Sequence, residues 1–309
     1  MHSPIWSSDA YWQKARAYLA RSAAAPTEPE SLFWCAIGLE LLARAALAKI
    51  HGGLLAEVSN NESEHLLFAF GGPLPKKGPR SIGVVQVLRR LRVLVPEFTE
   101  DHASQCSVFA NARNEELHTG ALPLEQLATA NWRANFYRAI EPLLRHLGRS
   151  FKDFLGADEA KVARKLIKQA DKIIASSVRK VVAGHRTLFD AKSQKERDAL
   201  HAAAVQKAEA AALDGGHRVS CPACAGLATL RGQVLATAEP TLEDNMVVVR
   251  STVVPSRFAC SACGLTLKTT AALQVEDLAK PFTRTLRYPP LEYYAEAGDA
   301  FDYEEYDNE

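Results

Sequence analysis

The chain is poor in sulfur, with six cysteines and two methionines in 309 residues. Six cysteines are too few to staple a protein of this length, which excludes a disulfide scaffold. The N-terminus, MHSPIWSSDAYW, has no basic start leading into an apolar run, so a secretory signal is not expected. Long uncharged apolar runs are missing as well. The greasiest stretch, Leu32 to Ile50, carries Glu40, Arg44 and Lys49, so it reads as a buried helix rather than a membrane span. There is no internal repeat. What is present is ordinary globular material, 47% hydrophobic and 24% charged, which can bury a core and excludes a mostly disordered chain. The length suits two or three domains.

An excess of one charge sign is also lacking, at a net +1, but the balance is uneven. Residues 291–309 carry eight acidic side chains and no basic one, so residues 1–290 carry 37 basic against 28 acidic, a net +9. Such a body is compatible with nucleic-acid binding. The end, YYAEAGDAFDYEEYDNE, reads as a mobile acidic arm with interleaved aromatics, which either solubilises the chain or competes with RNA for the basic surface.

Spacing predicts helices over the first 150 residues. Ser8 is a candidate cap for a helix through Tyr11, Trp12, Ala15, Tyr18 and Leu19. A second helix begins near Pro29, is apolar around nearly its whole circumference, and stops at Gly52-Gly53, which suits a central position in a bundle. Asn61 and Glu64 have capping-box spacing for a short helix ending at Gly71-Gly72. The stretch from Ile82 to Val95 reads as a helix, although its valines also suit a strand. Ala103 to His118 and Leu124 to Leu147 read as two more helices, the second with Pro142 as a kink point. Residues 157–215 are rich in Ala and Lys and read as a basic helical connector. Its apolar stripe is Val162, Leu166, Ala170, Ile173, Ser177, Val181, His185 and Leu188, and a Ser193–Glu196 capping box puts a break near Asp190. After Gly216 the period shortens to two, with strands expected over Leu227 to Leu235 and Met246 to Val254.

Four of the cysteines form two C-x-x-C pairs, Cys221/Cys224 and Cys260/Cys263, with Gly264 giving backbone freedom after the second. Two such tight turns can close a tetrahedral four-thiolate shell, which suits zinc in a reducing cytosol. Four cysteine ligands leave no open position, so the zinc is expected to be structural and a zinc hydrolase is disfavoured. Cys35 and Cys106 read as packing residues.

The segment SQCSVFANARNEELHTG places Cys106, Phe109, Ala110, Arg113 and Leu117 on one helical face. A polar stripe, Ser107, Asn111, Asn114 and His118, runs beside it. Arg113 and His118 are five apart and diverge by about 140° around a helix, so a neighbouring helix or a second copy would be needed to gather them. An imidazole can move the proton of a ribose 2′-hydroxyl or protonate a leaving oxygen, and a guanidinium can stabilise charge building on phosphorus. The competing reading is an arginine in a buried ion pair, with Glu40 as the candidate partner, and a histidine on a solvated helix end.

RNEELH at 113–118, followed by Thr119-Gly120, resembles the R-x(4–6)-H signature of the HEPN superfamily, and Asn114 stands where its ribonuclease members carry a polar residue. LELLARAALAKI, with Glu40 leading an apolar run, resembles a helix of the same family. The resemblance covers roughly residues 8–150. It implies a four-helix up-and-down bundle, a homodimer with both motifs at the interface, and metal-independent RNA cleavage leaving a cyclic phosphate. Carried over by position, Arg113 and His118 are the catalytic pair and Asn114 assists. Members act as toxins or in antiviral defence, and others are inactive scaffolds. Where some family toxins carry a tyrosine that is silenced by nucleotide transfer, this chain has Gly120.

Between Lys76 and Arg92 lie six basic residues and no acidic one: Lys76, Lys77, Arg80, Arg89, Arg90 and Arg92. They are a candidate phosphate-contacting patch, with a solvated loop and helix face as the alternative. The expected architecture is therefore mainly α: a HEPN-like helical bundle over 1–156, the basic helical connector over 157–215, a small β-rich zinc ribbon over 216–287 and the acidic aromatic tail over 288–309. The expected function is a cytoplasmic, dimeric endoribonuclease in defence or growth arrest, with RNA as substrate, structural zinc, a neutralising or activating protein partner, and no membrane. The alternative is an inactive scaffold whose ribbon binds nucleic acid or a protein. Arg113 in an ion pair with Glu40, far from any His118, would favour the scaffold.

Overall fold

The fold was obtained as a computed structural model that describes residues 4–58, 63–129 and 132–298. It is mainly helical, with a small antiparallel sheet in its C-terminal part. The chain divides into two compact units, 1–172 and 173–309. The division falls inside one helix, and segment 157–215 contributes to both cores: Ala160 and Ala163 to the first, Val178, Val182, Phe189 and Ala204 to the second.

The first unit begins with α1 (Ser8–Ala23) and α2 (Glu28–Ile50). Ser7, not Ser8, caps α1, its hydroxyl accepting from the Ala10 N–H at 3.2 Å, while the Ser8 hydroxyl donates to the Ala45 carbonyl at 2.9 Å. Thr27 caps α2 and Pro29 lies in its first turn, where a missing N–H costs nothing. By length and composition α2 is apolar enough to cross a membrane, but 67% of its apolar window is buried inside the protein. The helices that follow are α3 (Glu64–Ala69), α4 (Val84–Leu94), α5 (Glu100–His118), α6 (Pro123–Ala128), α7 (Trp132–Leu147) and α8 (Phe151–Leu155). α2 is the central helix, packed against α1, α4, α5, α6 and α7.

Several local expectations are corrected. The helix read over 82–95 is present but shorter, Val84–Leu94, with Val87, Leu88 and Leu91 turning inward at helical spacing. Asn61 lies outside the described residues, and α3 follows Ser63 without a side-chain cap. The helix expected over 124–147 is two: α6 ends at Ala128 and α7 starts at Trp132, with Pro142 inside α7. Leu117 is exposed rather than continuing the buried face of α5.

The helix α9 (Ala157–Asp190) and α10 (Gln194–Leu213) are separated where the Ser193–Glu196 capping box puts the break, with the Ser193 N–H donating to Glu196 at 2.9 Å. On α9, Ala163, Val178, Val182 and Phe189 are buried and Leu166, Ile167 and Ile174 are half-buried against the cores; of the expected stripe Leu166, Ala170 and His185 are half-buried, whereas Val162, Ile173, Val181 and Leu188 are exposed.

The second unit packs the end of α9 and α10 with a sheet of β1 (His217–Ser220), β2 (Leu227–Thr237), β3 (Thr241–Glu243), β4 (Met246–Ala259), β5 (Thr266–Leu267) and, after α11 (Thr270–Val275), β6 (Phe282–Tyr288). Every pairing is antiparallel, in the order β1-β2-β4-β3, with β5 and β6 also on β4. Asp244 and Asn245 join β3 to β4 with φ of 49° and 59°, the two-residue turn that matches strand twist and favours these short polar residues. Gly232 sits at a bulge where a Cβ would lie 2.0 Å from the Val254 carbonyl oxygen, so only glycine fits. α12 (Pro290–Gly298) opens the segment expected as a mobile tail.

In α5 the cap uses a histidine: the Thr99 N–H donates to His102 Nδ1 at 3.1 Å. Burial, and after it the nearby Arg145 charge, push the His102 pKa down to about 4. The neutral ring is the form that accepts this bond, so its stabilising contribution is complete above about pH 6.5 and is lost as pH falls towards 4. In urea unfolding of the full chain, the midpoint should fall across that window, and His102→Gln should flatten the fall. An identical pH dependence in the variant would contradict this account.

Candidate functional site

Two constellations emerge. In the first unit, Glu40 on α2 collects two arginines. Arg44, one turn on, donates to Glu40 Oε1 from Nη2 at 2.8 Å and from Nε at 3.1 Å. Arg113 on α5 donates to Glu40 Oε2 from Nη2 at 2.7 Å. All three side chains are largely withdrawn from water, with Arg113 18% exposed. Arg44 also donates to the Ser81 hydroxyl at 3.1 Å. Burial raises the pKa of nearby Tyr11, against the opposing charge of Arg44. The cluster holds two guanidiniums and one carboxylate, so it carries net positive charge. The Arg113 Nε is buried without a partner among the described residues.

Arg113 thus lies in the ion pair weighed from the sequence. Asn114 and His118 sit on the exposed side of α5, and Arg113 turns inward to Glu40. One copy of the helix therefore does not aim the arginine and the histidine at the same atom.

The six basic residues separate. Lys76, Lys77, Arg80 and Arg89 are exposed. Arg90 donates to the Leu54 carbonyl and Arg92 pairs with Glu100, so these two tie helix to helix and loop. The loop that carries Arg80 is pinned by a bridge between Ala56 and Ser81, and the Arg80 carbonyl accepts from Glu57 N–H at 3.1 Å. Ser81 therefore places the basic loop directly against Arg44. Arg44 had a readable signal, its position four residues after Glu40; Ser81 had none.

In the second unit, the sulfurs of Cys221, Cys224, Cys260 and Cys263 all lie within 4.8 Å of one another. The Cys221–Cys263 and Cys224–Cys260 separations are both 3.6 Å. A tetrahedron of thiolates at ~2.3 Å from a zinc ion needs sulfurs about 3.8 Å apart, so the four fit a metal ion such as zinc. The two knuckles repeat one geometry. Cys221 N–H donates to Gly226 and Cys260 N–H to Leu265, each at 2.9 Å. The residue after each second cysteine is left-handed, Ala225 at φ 59° and Gly264 at φ 77°. Gly264 adopts that conformation freely, whereas Ala225 is held there by its knuckle. Without metal the thiols compete for protons: hydrogen bonding pushes the Cys260 pKa down to about 5 and the Cys221 pKa upward.

The helices brace both knuckles, which the sequence reading missed. His185 on α9 hydrogen-bonds the Cys263 carbonyl at 2.8 Å, and His201 on α10 the Cys224 carbonyl at 3.1 Å. Arg186 donates to the Pro222 carbonyl at 2.7 Å. Buried Cys35, its pKa raised to about 12 chiefly by burial, and buried Cys106, raised likewise to about 12, are unreactive packing thiols.

Comparison of the chain with protein-family models, with curated proteins and with solved structures returns no match.

The purified protein should hold one zinc ion per chain, and Cys224→Ser or Cys260→Ser should abolish it. Chelation should remove the β signal from circular dichroism while helical signal from the first unit persists. A protein grown in zinc-replete medium that carries no metal, with chelation leaving its spectrum unchanged, would contradict the assignment.

Proposed function

We propose that the chain is a metal-independent endoribonuclease of HEPN type, with its active site formed by α5 of two copies and with a structural zinc ribbon in the second unit. The observation that carries this reading is the Glu40 cluster. Among the described residues Arg113 has one bond to Glu40 and a buried Nε without a partner. The cluster stays positive, abuts a basic loop through Ser81, and lies on the helix that exposes Asn114 and His118.

In this mechanism Glu40 holds the Arg113 guanidinium in place for a phosphodiester. The neutral His118 imidazole takes the proton of a ribose 2′-hydroxyl as its oxygen attacks phosphorus. The bond to the 5′-oxygen breaks, that oxygen takes a proton from water, and the products are a 2′,3′-cyclic phosphate and a 5′-hydroxyl, after which the imidazolium returns its proton to solvent. Arg113 stabilises the extra negative charge in the transition state, and Asn114 orients the phosphate. Lys76, Lys77, Arg80 and Arg89 steer the backbone towards the site. Growth arrest or defence, an activating or neutralising protein, and a cytoplasmic setting belong to this same reading.

The second reading is a dimerising scaffold. It is favoured by the Glu40–Arg113 ion pair itself, since a structural arginine makes the same contact, and by the divergence of His118 from it.

End-labelled single-stranded RNA incubated with the protein in EDTA should be cut to cyclic-phosphate ends. Arg113→Ala and His118→Ala should each lower the rate by at least ~100-fold, the scale of losing one acid–base or charge-stabilising group. Zinc content measured after the reaction confirms that the second unit stayed folded. No cleavage by a folded, zinc-loaded dimer would favour the scaffold.

A further inference from the structure

The second unit contains a groove of about 270 Å³ between one face of α10 and the sheet, beside the second cysteine knuckle. The helix supplies Ala204, Lys207, Ala208 and Ala211. These positions recur at steps of three and four, so they form one face. The sheet supplies Thr229 and Arg231 from β2 and Arg257 and Ala259 from β4. Small side chains make the floor, so the slot stays open between helix and strands. Lys207, Arg231 and Arg257 are exposed around it, and no acidic residue lines it.

The arginines are not scattered. Arg231 and Arg257 are direct cross-strand partners in the β2–β4 ladder. Like charges placed opposite one another on neighbouring strands oppose folding. Among the described residues only one of the pair is bonded to a carboxylate: Arg231 donates to Asp214 at 2.9 Å, an exposed contact that water and salt weaken. The bulge after Arg231, imposed by Gly232, ends the regular register at this point and fixes where the two guanidiniums stand.

We propose that this groove is a binding subsite for single-stranded RNA, with backbone phosphate held between Arg231, Arg257 and Lys207 and a base or sugar lying on the alanine floor. Two forked guanidiniums opposite each other match the several oxygens of a phosphodiester better than a single carboxylate. The floor has no aromatic platform and no polar array to read base edges, so the subsite is sequence-tolerant and dominated by phosphate. It belongs to the second unit and does not depend on Arg113 or His118, so it stands whether or not the first unit cleaves RNA.

The test is fluorescence anisotropy of the full, zinc-loaded chain with a short fluorescein-labelled 2′-O-methyl oligouridine. This probe lacks the hydroxyl nucleophile and so reports binding alone. Lys207→Gln with Arg257→Gln should weaken affinity at least tenfold at low salt and reduce the slope of log affinity against log salt by about 1.4, roughly 0.7 for each lost cation on a single strand. Arg257→Lys should keep the salt slope, because the charge is kept, but bind more weakly than wild type, because the fork is lost. Zinc content and circular dichroism of each variant show that the unit is folded, which these exposed positions permit. Unchanged affinity and slope in the folded double variant would overturn the proposal. So would an acidic peptide of residues 299–309 that displaces the probe from wild type and binds the groove more tightly than the oligonucleotide.

Discussion

One carboxylate organises the first unit. Glu40 stands on the central, largely buried helix α2, an expensive place for a charge unless it is paired. Two guanidiniums pair it, one from its own helix and one from α5, and each carboxylate oxygen is used. The bond to Arg113 fixes the rotation of α5 against α2: Cys106, Phe109 and Ala110 face inward, and Asn114 and His118 face outward. The bond from Arg44 to Ser81 fixes the basic loop in turn. Removing Glu40 would strand two largely buried cations, a loss of about 3–5 kcal/mol for a broken buried pair. This ion pair therefore links the packing of the bundle to the exposed chemistry of α5.

The second unit depends on a different constraint. Its hydrophobic cluster includes the cysteines themselves, together with Phe258, Leu265 and Leu273, and the knuckles are braced from outside by His185, Arg186 and His201. The hairpin of α9 and α10 is therefore not only a spacer: it hydrogen-bonds carbonyls of both knuckles at the candidate metal site, and α10 supplies one wall of the cationic groove. Metal chemistry and the groove share Cys260, so the order of the knuckle also sets the position of the β4 side of the groove.

Much of this was readable from local patterns. The paired C-x-x-C turns came with their own spacing rule, and the capping box at Ser193 placed a helix break within a few residues. The Glu40–Arg113 pair could be anticipated because an arginine on an apolar face needs a buried acid, and α2 offers one. The failures have physical causes. In α9 two adjacent registers both carry β-branched residues, Ile173 beside Ile174 and Val181 beside Val182, so periodicity alone could not choose between them. Ser7 and Ser8 are equally good caps in sequence, and only the approach of Ala45 gives Ser8 a different role. β6 alternates in burial over Phe282–Tyr288 but was hidden by its isolation from the other strands in sequence. The cross-strand arginines became visible only once the β2–β4 register was known.

The central claim is that Arg113, held inward by Glu40, and outward-facing His118 serve one phosphate only when two copies meet. The most direct measurement is a subunit-mixing assay. Arg113→Ala and His118→Ala proteins, each inactive alone, are dissociated, mixed and reassociated, and RNA cleavage is followed. A site built across two copies predicts restored cleavage, at roughly a quarter of the wild-type rate for random pairing, because each mixed pair regains one intact arginine–histidine combination. No restoration in a mixture shown to contain mixed dimers would contradict the account.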